Sequence, residues 1–441
     1  MPPAQYLPLI AFLLTSSLLG EAAQASQKPR DERARQIFAR EPDTRLPQTV
    51  VAGSLSAGTG DALLGENAPT AEDLYHTGVQ ANLSHRREGP SRVFSLNAGT
   101  SARFYPQTRE FLTLSRSASV DLDSRIGRNG RFRAGQAVAF TPFRQFGTIT
   151  GNNAPVEGEF SSAHADGASS IGQASYELAT TVDVGRNFGQ RAGVNLSYVM
   201  RANMHPGSSE QLITQNAGVN FRYAVTPQAA LVVGTTSRMG RSGIETSARP
   251  TRAQDIDIGL DYNRALTFAR NTKVSFTSGT ALVSRDLELA GGGRAQQRSV
   301  LAIGAVVINR PIGRNWEGRV GYDKNLRFID GLPEPFYADG ATARLTGRYG
   351  RRLTIRAQAD YASGRSIDSS TSGIDQYFRG LQTQARIGYA LSRNWLVFGE
   401  HFYAENFLSA GALASLPPGV IPRRFGRGVR IGVSLWANKV H

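Results

Sequence analysis

The chain has 441 residues, including 47 Gly, 21 Phe and 14 Tyr, and no cysteine, which excludes disulfides, thiolate metal sites and a cysteine acylated at a mature N-terminus. Its formal charge is +15, carried by 50 basic residues of which all but Lys28, Lys273, Lys324 and Lys439 are arginines. They are scattered over alternating positions and turns without a basic run or an aromatic-interleaved patch, which argues against nucleic acid as a partner.

Residues 6–19 form an apolar run containing Leu7, Leu9, Ile10, Phe12, Leu13, Leu14, Leu18 and Leu19, followed by Ala23-Gln24-Ala25. An apolar run of this length before an A-x-A site reads as a signal peptide cut after Ala25, although residues 1–5 carry no Lys or Arg; an apolar core helix is the alternative. No later stretch approaches the roughly 18 apolar residues of a spanning helix. A polar segment, 26–48, follows, and its stretch 29–41 has the charge pattern of a short helix. It is expected in the periplasm and is too short to plug a barrel.

Over 49–438 the pattern alternates with period two, broken by Gly, Pro, Asn and Asp. Tyr176, Leu178, Val182 and Val184 oppose Glu177, Thr181 and Asp183; Ala217, Val219, Phe221 and Tyr223 oppose Asn216, Asn220 and Arg222; Leu353, Ile355, Ala357, Ala359 and Tyr361 oppose Thr354, Arg356, Gln358 and Asp360. Strands are predicted near 49–57, 73–86, 91–104, 111–125, 131–141, 173–185, 191–202, 210–225, 229–239, 253–264, 272–284, 297–309, 315–325, 338–349, 352–363, 377–391, 394–403 and 427–438. A soluble sandwich also alternates. These runs are longer than the usual five or six residues, however, and Tyr176, Tyr223, Tyr262, Trp316, Tyr322, Tyr349, Tyr361, Tyr389 and Trp395 sit near strand ends, as interfacial aromatic girdles require. The expected fold is all-β: one transmembrane antiparallel up-and-down barrel of about 18 strands, with 16 as the alternative. The first strand is the least secure, and 395–403 does not alternate well enough to assign its faces.

Five Arg-Asn pairs are expected in tight turns: Gly127-Arg128-Asn129, Gly185-Arg186-Asn187, Ala269-Arg270-Asn271, Gly313-Arg314-Asn315 and Ser392-Arg393-Asn394. Asn tolerates left-handed backbone angles, and all five fall at one end of the predicted barrel. The longer connections, near 142–172, 239–252, 364–376 and 404–426, fall at the other. Whether 142–172 folds inward is left open by the sequence.

In hydrocarbon every backbone donor and acceptor must be satisfied within the protein, so such strands span only as a closed sheet. The inward polar face is predicted to carry Arg201, Arg222, Arg319, Arg344, Arg356, Arg386, Arg430, Glu177, Asp183, Asp257, Asp261, Glu317 and Asp360, together with Arg103, Arg131, Arg133, Arg238, Arg348, Asp121, Asp123 and Asp323. Two readings of this set stay open. Arginines facing carboxylates create a transverse field that steers anionic or saccharide solutes, or they form mutual ion pairs that fill a narrow lumen.

The signal peptide, the single run of strands, the Arg-Asn turns and the terminal strand 426–436 together resemble bacterial outer-membrane porin-like barrels. Within these the chain looks most like a loosely defined group of β-barrel porins, some found with exopolysaccharide export systems. The resemblance covers 49–438 and implies the outer membrane of a Gram-negative-type bacterium, with membrane lipid, the barrel-assembly machinery, a hydrophilic solute or polysaccharide, and a periplasmic export component as partners. Such barrels usually end on an aromatic residue. Here Val429, Ile431, Val433, Leu435 and Trp436 are followed by a tail, 437–441. A TonB-dependent transporter is not expected, because about twenty residues precede the barrel where that family has a plug domain.

No enzyme is expected. His76, His85, His164, His205, His401 and His441 map mostly to loops, strand ends or the tail, and none has a neighbouring His at metal-ligand spacing. Gly291-Gly292-Gly293-Arg294 lacks the Lys-Ser/Thr of a phosphate loop and reads as a hairpin tip. No cofactor is implied. The functions considered are a channel for hydrophilic solutes or an exported polysaccharide, a docking barrel with a filled lumen, and a barrel hydrolase.

Overall fold

A computed structural model describes residues 48–60, 74–106, 112–142, 144–145, 169–170, 174–206, 210–244, 250–262, 272–288, 294–329, 332, 335–367, 376–414 and 425–440. The predicted signal peptide, almost all of segment 26–48, His164 and Gly291-Gly292-Gly293 lie outside them. Of 142–172, residues 142, 144–145 and 169–170 are described.

Period-two alternation becomes strand throughout. The elements are β1 (Gln48–Gly60), β2 (Leu74–Glu88), β3 (Arg92–Phe104), β4 (Leu112–Ile126), β5 (Gly130–Thr141), β6 (Arg144–Gln145), β7 (Ser169–Ser170), β8 (Ser175–Phe188), β9 (Ala192–Met204) and β10 (Glu210–Ala224). They continue as β11 (Ala229–Ile244), β12 (Thr251–Tyr262), β13 (Lys273–Glu288), β14 (Arg294–Ile312), β15 (Trp316–Arg327), β16 (Phe336–Tyr349), β17 (Leu353–Ser366), β18 (Tyr377–Ala390), β19 (Trp395–Leu408), a short helix α1 (Ala410–Ala414) and β20 (Phe425–Val440). Apart from the two-residue ladder β6–β7, all strands belong to one antiparallel sheet of eighteen, closed where β1 pairs with β20. Each predicted strand is present, and the count is eighteen rather than sixteen. The first, least secure from sequence, is held on both sides over its whole length.

Side chains paired across an antiparallel ladder share a face, so the register assigns the whole barrel. Leu55, Val79, Ile256, Ile258, Val320, Ile387 and Ile431 are exposed on the outer face. Outward aromatic residues gather at both ends: Tyr223, Tyr349, Tyr389 and Trp395 where the connections are short, and Tyr75, Phe104, Tyr176, Tyr361 and Tyr377 where they are long. No described helix is long and apolar enough to cross a membrane.

Four of the short turns open on a glycine with positive φ: Gly127 (63°), Gly189 (67°), Gly313 (62°) and Gly350 (61°). Gly tolerates this region where a Cβ does not, so these positions pin the hairpins. The prediction of a turn at Gly185-Arg186-Asn187 is corrected, because those residues continue β8 and the turn is Gly189-Gln190-Arg191. Asn marked the turn less reliably than the left-handed glycine. Turns at 127–129, 313–315 and 392–394 stand where they were expected, and Ala269-Arg270-Asn271 lies outside the described residues.

The interior is not uniform. The β14–β15 ladder runs from Ile312–Trp316 only to Gly304–Lys324, the shortest in the barrel. Beyond Lys324 the chain leaves β14 and turns inward. Arg238 donates from Nη1 to Asn325 Oδ1 (2.7 Å), Leu326 packs with Ala253 and Val283, and the Phe328 ring covers Gly240. Next to it, Ile329, Leu332, Phe336, Ala338, Ala362, Phe378, Leu408 and Ala412 form a buried apolar cluster. Phe336 and Phe378 meet edge-on at 5.2 Å. Helix α1 closes this cluster, its entry fixed by Ser409 Oγ, which accepts from the Tyr377 and Ala412 amides. At about 1.5–3 kcal/mol per large buried side chain, the cluster anchors these segments to the inner wall of β16–β19.

Candidate functional site

The register places Arg201, Arg222, Arg319, Arg344, Arg356, Arg386, Arg430, Glu177, Asp183, Asp257, Asp261, Glu317 and Asp360 on the inward face, opposite the exposed apolar set. They do not form one site. Around β4–β9 they alternate in sign: Arg133 pairs with Asp123 on one side and Asp183 on the other, and Glu177 lies one diagonal step from Arg201. Around β10–β12, Arg222 Nε reaches past β11 to Asp261 Oδ2 at 3.3 Å, Asp257 lies beside Gly234, and Arg238 Nε binds Asp255 Oδ2 at 2.5 Å. Here the mutual-pairing reading describes the geometry.

On β15–β18 the arrangement changes. Arg319 stands directly opposite Arg344, and Arg356 directly opposite Arg386. Arg348 is on the same face of β16, and Glu317 is the nearest carboxylate in register, opposite Thr346. Asp323 and Asp360 sit farther from the short turns; Arg327 Nη2 holds Asp323 at 2.7 Å and Gln358 donates to Asp360. In strand order β15–β17 lie across the barrel from β4, β5 and β8. The arginine-rich wall therefore faces the wall that carries Asp121, Asp123 and Asp183.

The wall of β18–β20 holds residues that strand alternation did not reveal. Glu400 is 3 % exposed; its Oε2 accepts from Arg430 Nη2 at 2.7 Å and its Oε1 from Gln384 Nε2 at 2.8 Å. Arg386 lies over the Phe398 ring at 4.3 Å and Arg430 at 6.0 Å, so two guanidinium groups share one aromatic ring beside one carboxylate. Phe398 and Phe402 point inward because β20 offers Gly432 and Gly428 as seats: a Cβ at Gly432 would lie 2.6 Å from Phe398 Cζ. The signal for this was the alternating Gly426, Gly428 and Gly432 on the polar face of the neighbouring strand, which requires bulk from next door. Arg327 was missed because the predicted strand stopped two residues short of it.

Between the charged walls, the inward face of β1–β4 carries a patch of small hydrophilic side chains. Ser54, Gln80, Ser101 and Ser115 lie in one cross-strand row, Asn82, Gly99 and Ser117 in the next, and Ser84, Asn97 and Ser119 in the third. Asn97 Nδ2 donates to Ser119 Oγ at 3.4 Å. Such a surface offers donors and acceptors without bulk.

Among the described residues no group of three His, Asp or Glu could hold a metal ion. His76 packs on Tyr105 with ring centroids 5.6 Å apart, His205 lies within reach of the Ala174 carbonyl, and His401 is outward on β19.

No protein-family model matches the chain, and no curated protein matches its sequence. Among solved structures it is similar to the FrpB iron transporter from Neisseria meningitidis (F5-1 variant), with a TM-score of 0.44 at 9 % identity over 88 % of this chain and 82 % of that one. It is similar to OccAB2 of Acinetobacter baumannii, with a TM-score of 0.41 at 11 % identity over 88 % and 98 % of the two chains. For the outer-membrane expressed OmpT of Vibrio cholerae the values are 0.34 and 14 %, over 88 % and 98 %.

Proposed function

We propose that the chain is an outer-membrane channel that passes hydrophilic solutes, anionic or saccharide in character, and that it is not an enzyme. The observation that carries this reading is the division of one closed sheet into an apolar outer face with aromatic ends and an inner face of arginines, carboxylates, hydroxyls and amides. An apolar exterior belongs against lipid, and a closed antiparallel barrel satisfies its backbone there. Its partners are membrane lipid, the assembly machinery that inserts such sheets, and the solute itself. The serine- and asparagine-lined wall suits hydroxyl-rich molecules, up to a polysaccharide strand handed over by a periplasmic export component.

A second reading, a non-conducting docking barrel, is favoured by one feature: Leu326, Phe328, Ile329, Leu332, Phe336 and Ala412 pack inward and fill part of the interior beside β16–β19. Single-channel conductance of the refolded barrel in planar bilayers, with reversal potentials across a salt gradient, separates the two. Stable openings with anion preference are expected. A folded barrel that never conducts would overturn the channel reading in favour of docking.

A further inference from the structure

The outer face of a membrane barrel is apolar between its aromatic ends, and charge is tolerated there only near the interfaces. At the end with the long connections this barrel is uneven. On β2, β3, β8 and β9 the outward band holds Tyr75, Phe104, Tyr176 and Met204 with apolar or hydroxyl neighbours, and β4 adds Arg116. On β15–β20 the same band holds four cations, Lys324, Arg365, Arg379 and Arg427, against two carboxylates, Asp339 and Glu405. Strand parity puts all six on the side of the exposed Tyr322, Tyr361 and Tyr377. Aromatic rings lie between the cations. Arg365 stands opposite Tyr337 and Tyr377, and Arg379 opposite Phe407. Lys324 Nζ lies 4.9 Å from the centre of the Tyr337 ring, and Tyr377 stacks on Phe407 at 5.5 Å. Asp339 accepts from Tyr322 Oη at 2.5 Å and pairs with Lys324 at 3.1 Å; Glu405 pairs with Arg379 at 3.5 Å. The wall is also stepped here. Leu326 has the parity of the exposed Val320 and Tyr322, yet it is buried with Ala253 and Val283 of the inner wall. Tyr337 Oη donates to the Ala302 carbonyl across this step, beside Val300, which is 72 % exposed.

We propose that this outer patch binds the phosphorylated sugar headgroup of a glycolipid in the leaflet on the long-connection side. The inference rests on the membrane-spanning part of the channel reading and not on conduction. Charge complementarity selects the occupant, because the surplus of two positive charges calls for a group with more negative than positive charge. Arg365 and Arg379 meet phosphate with paired N–H bonds, and Lys324 adds a point charge at the step. Tyr337 and Tyr377 flank Arg365 with an apolar ring and a hydroxyl each, which suits a sugar at the headgroup level. Toward the short turns on the same strands, Val320, Leu345 and Ile387 are exposed where acyl chains run. The recess beside β14 seats the headgroup against a wall that is convex elsewhere.

The test is native mass spectrometry of the refolded full-length barrel in detergent, titrated with a bisphosphorylated diglucosamine lipid and with the same lipid stripped of both phosphates. Saturable binding of the phosphorylated form is expected, at least about tenfold tighter than that of the stripped form. R365Q/R379Q is expected to lose this preference, and R365K/R379K, which keeps the charge without the paired bonds, to fall between them. R116Q, on β4, is expected to bind as the parent does. Equal binding of the two lipids by the parent overturns the site without any variant, and so does a preference that survives in folded R365Q/R379Q. Inorganic phosphate that displaces the lipid at equal concentration would assign the patch to a free anion and overturns it as well. A silent barrel that prefers the phosphorylated lipid refutes the channel and leaves the site, whereas a conducting barrel without the preference refutes the site and leaves the channel.

Discussion

Replacing Glu400 by alanine tests whether the inner wall is dry. The Glu400 side chain is 1 % exposed and that of Arg430 is 11 %, with 2.7 Å between Oε2 and Nη2. Removing the carboxylate leaves Arg430 without its partner while Arg386 still presses on the same aromatic ring, Phe398. Loss of one partner from a buried pair costs about 3–5 kcal/mol, against at most about 1 kcal/mol for an exposed pair. E400A should therefore lower the unfolding free energy by about 3–5 kcal/mol, while E400A/R430A should cost clearly less than the sum of the two single changes, since the charge that E400A strands on Arg430 is removed with it. Urea unfolding of the refolded barrel in micelles, followed by tryptophan fluorescence, measures all three variants. A loss below about 1 kcal/mol for E400A, or strict additivity in the cycle, would mean that water reaches this pair and that the wall is solvated.

At the outer girdle, a Cβ on Gly347 would run into the Trp316 ring, so G347A is expected to shift Trp316 emission and cost about 1–3 kcal/mol, and to cost far less in a W316A background. Gly350 has a φ of 61°, so G350A should destabilise by about 1–2 kcal/mol in the same unfolding assay, whereas G399A, with open space around its Cβ and no positive φ, should be neutral or slightly stabilising. Phe378 is 1 % exposed at the centre of the inner apolar cluster, and F378A is expected to cost about 3–5 kcal/mol. Loosening of the segments packed on it should also raise single-channel conductance; an unchanged conductance would place the solute path away from that wall.

Strand count and facing were legible because a two-sided barrel wall obliges every strand to alternate, and a one-residue slip would turn all its polar side chains into the apolar face. The sequence failed at β19, where Phe398, Phe402 and Leu408 face inward while Trp395, Val397 and Phe407 face outward, leaving both faces apolar. The inward face there is decided by glycines on β20, information that no single strand contains. The inward packing of Leu326 and Phe328 was hidden for a similar reason. Its stability comes from Ala253, Val283 and Gly240, which are remote in sequence and become neighbours only when the sheet curves. Parity within one strand gives the face of a single arginine and nothing of its neighbours. That Arg319 faces Arg344 while Arg133 faces two aspartates required the register of adjoining strands.

Every ladder of this sheet joins wall strands that follow one another along the chain except the seam, where Gln48–Gly60 zips against 428–440. The seam brings the first and last strands side by side with their free ends at the short-turn rim, so the order in which the strands are synthesised is not dictated by the finished cylinder. A permuted chain, opened between β2 and β3 and bridged from 440 to 48 by a short flexible linker, retains all eighteen ladders. What the original order does decide is where closure falls: the β1–β20 ladder is the pairing most distant in sequence, so it carries the largest loop-closure cost.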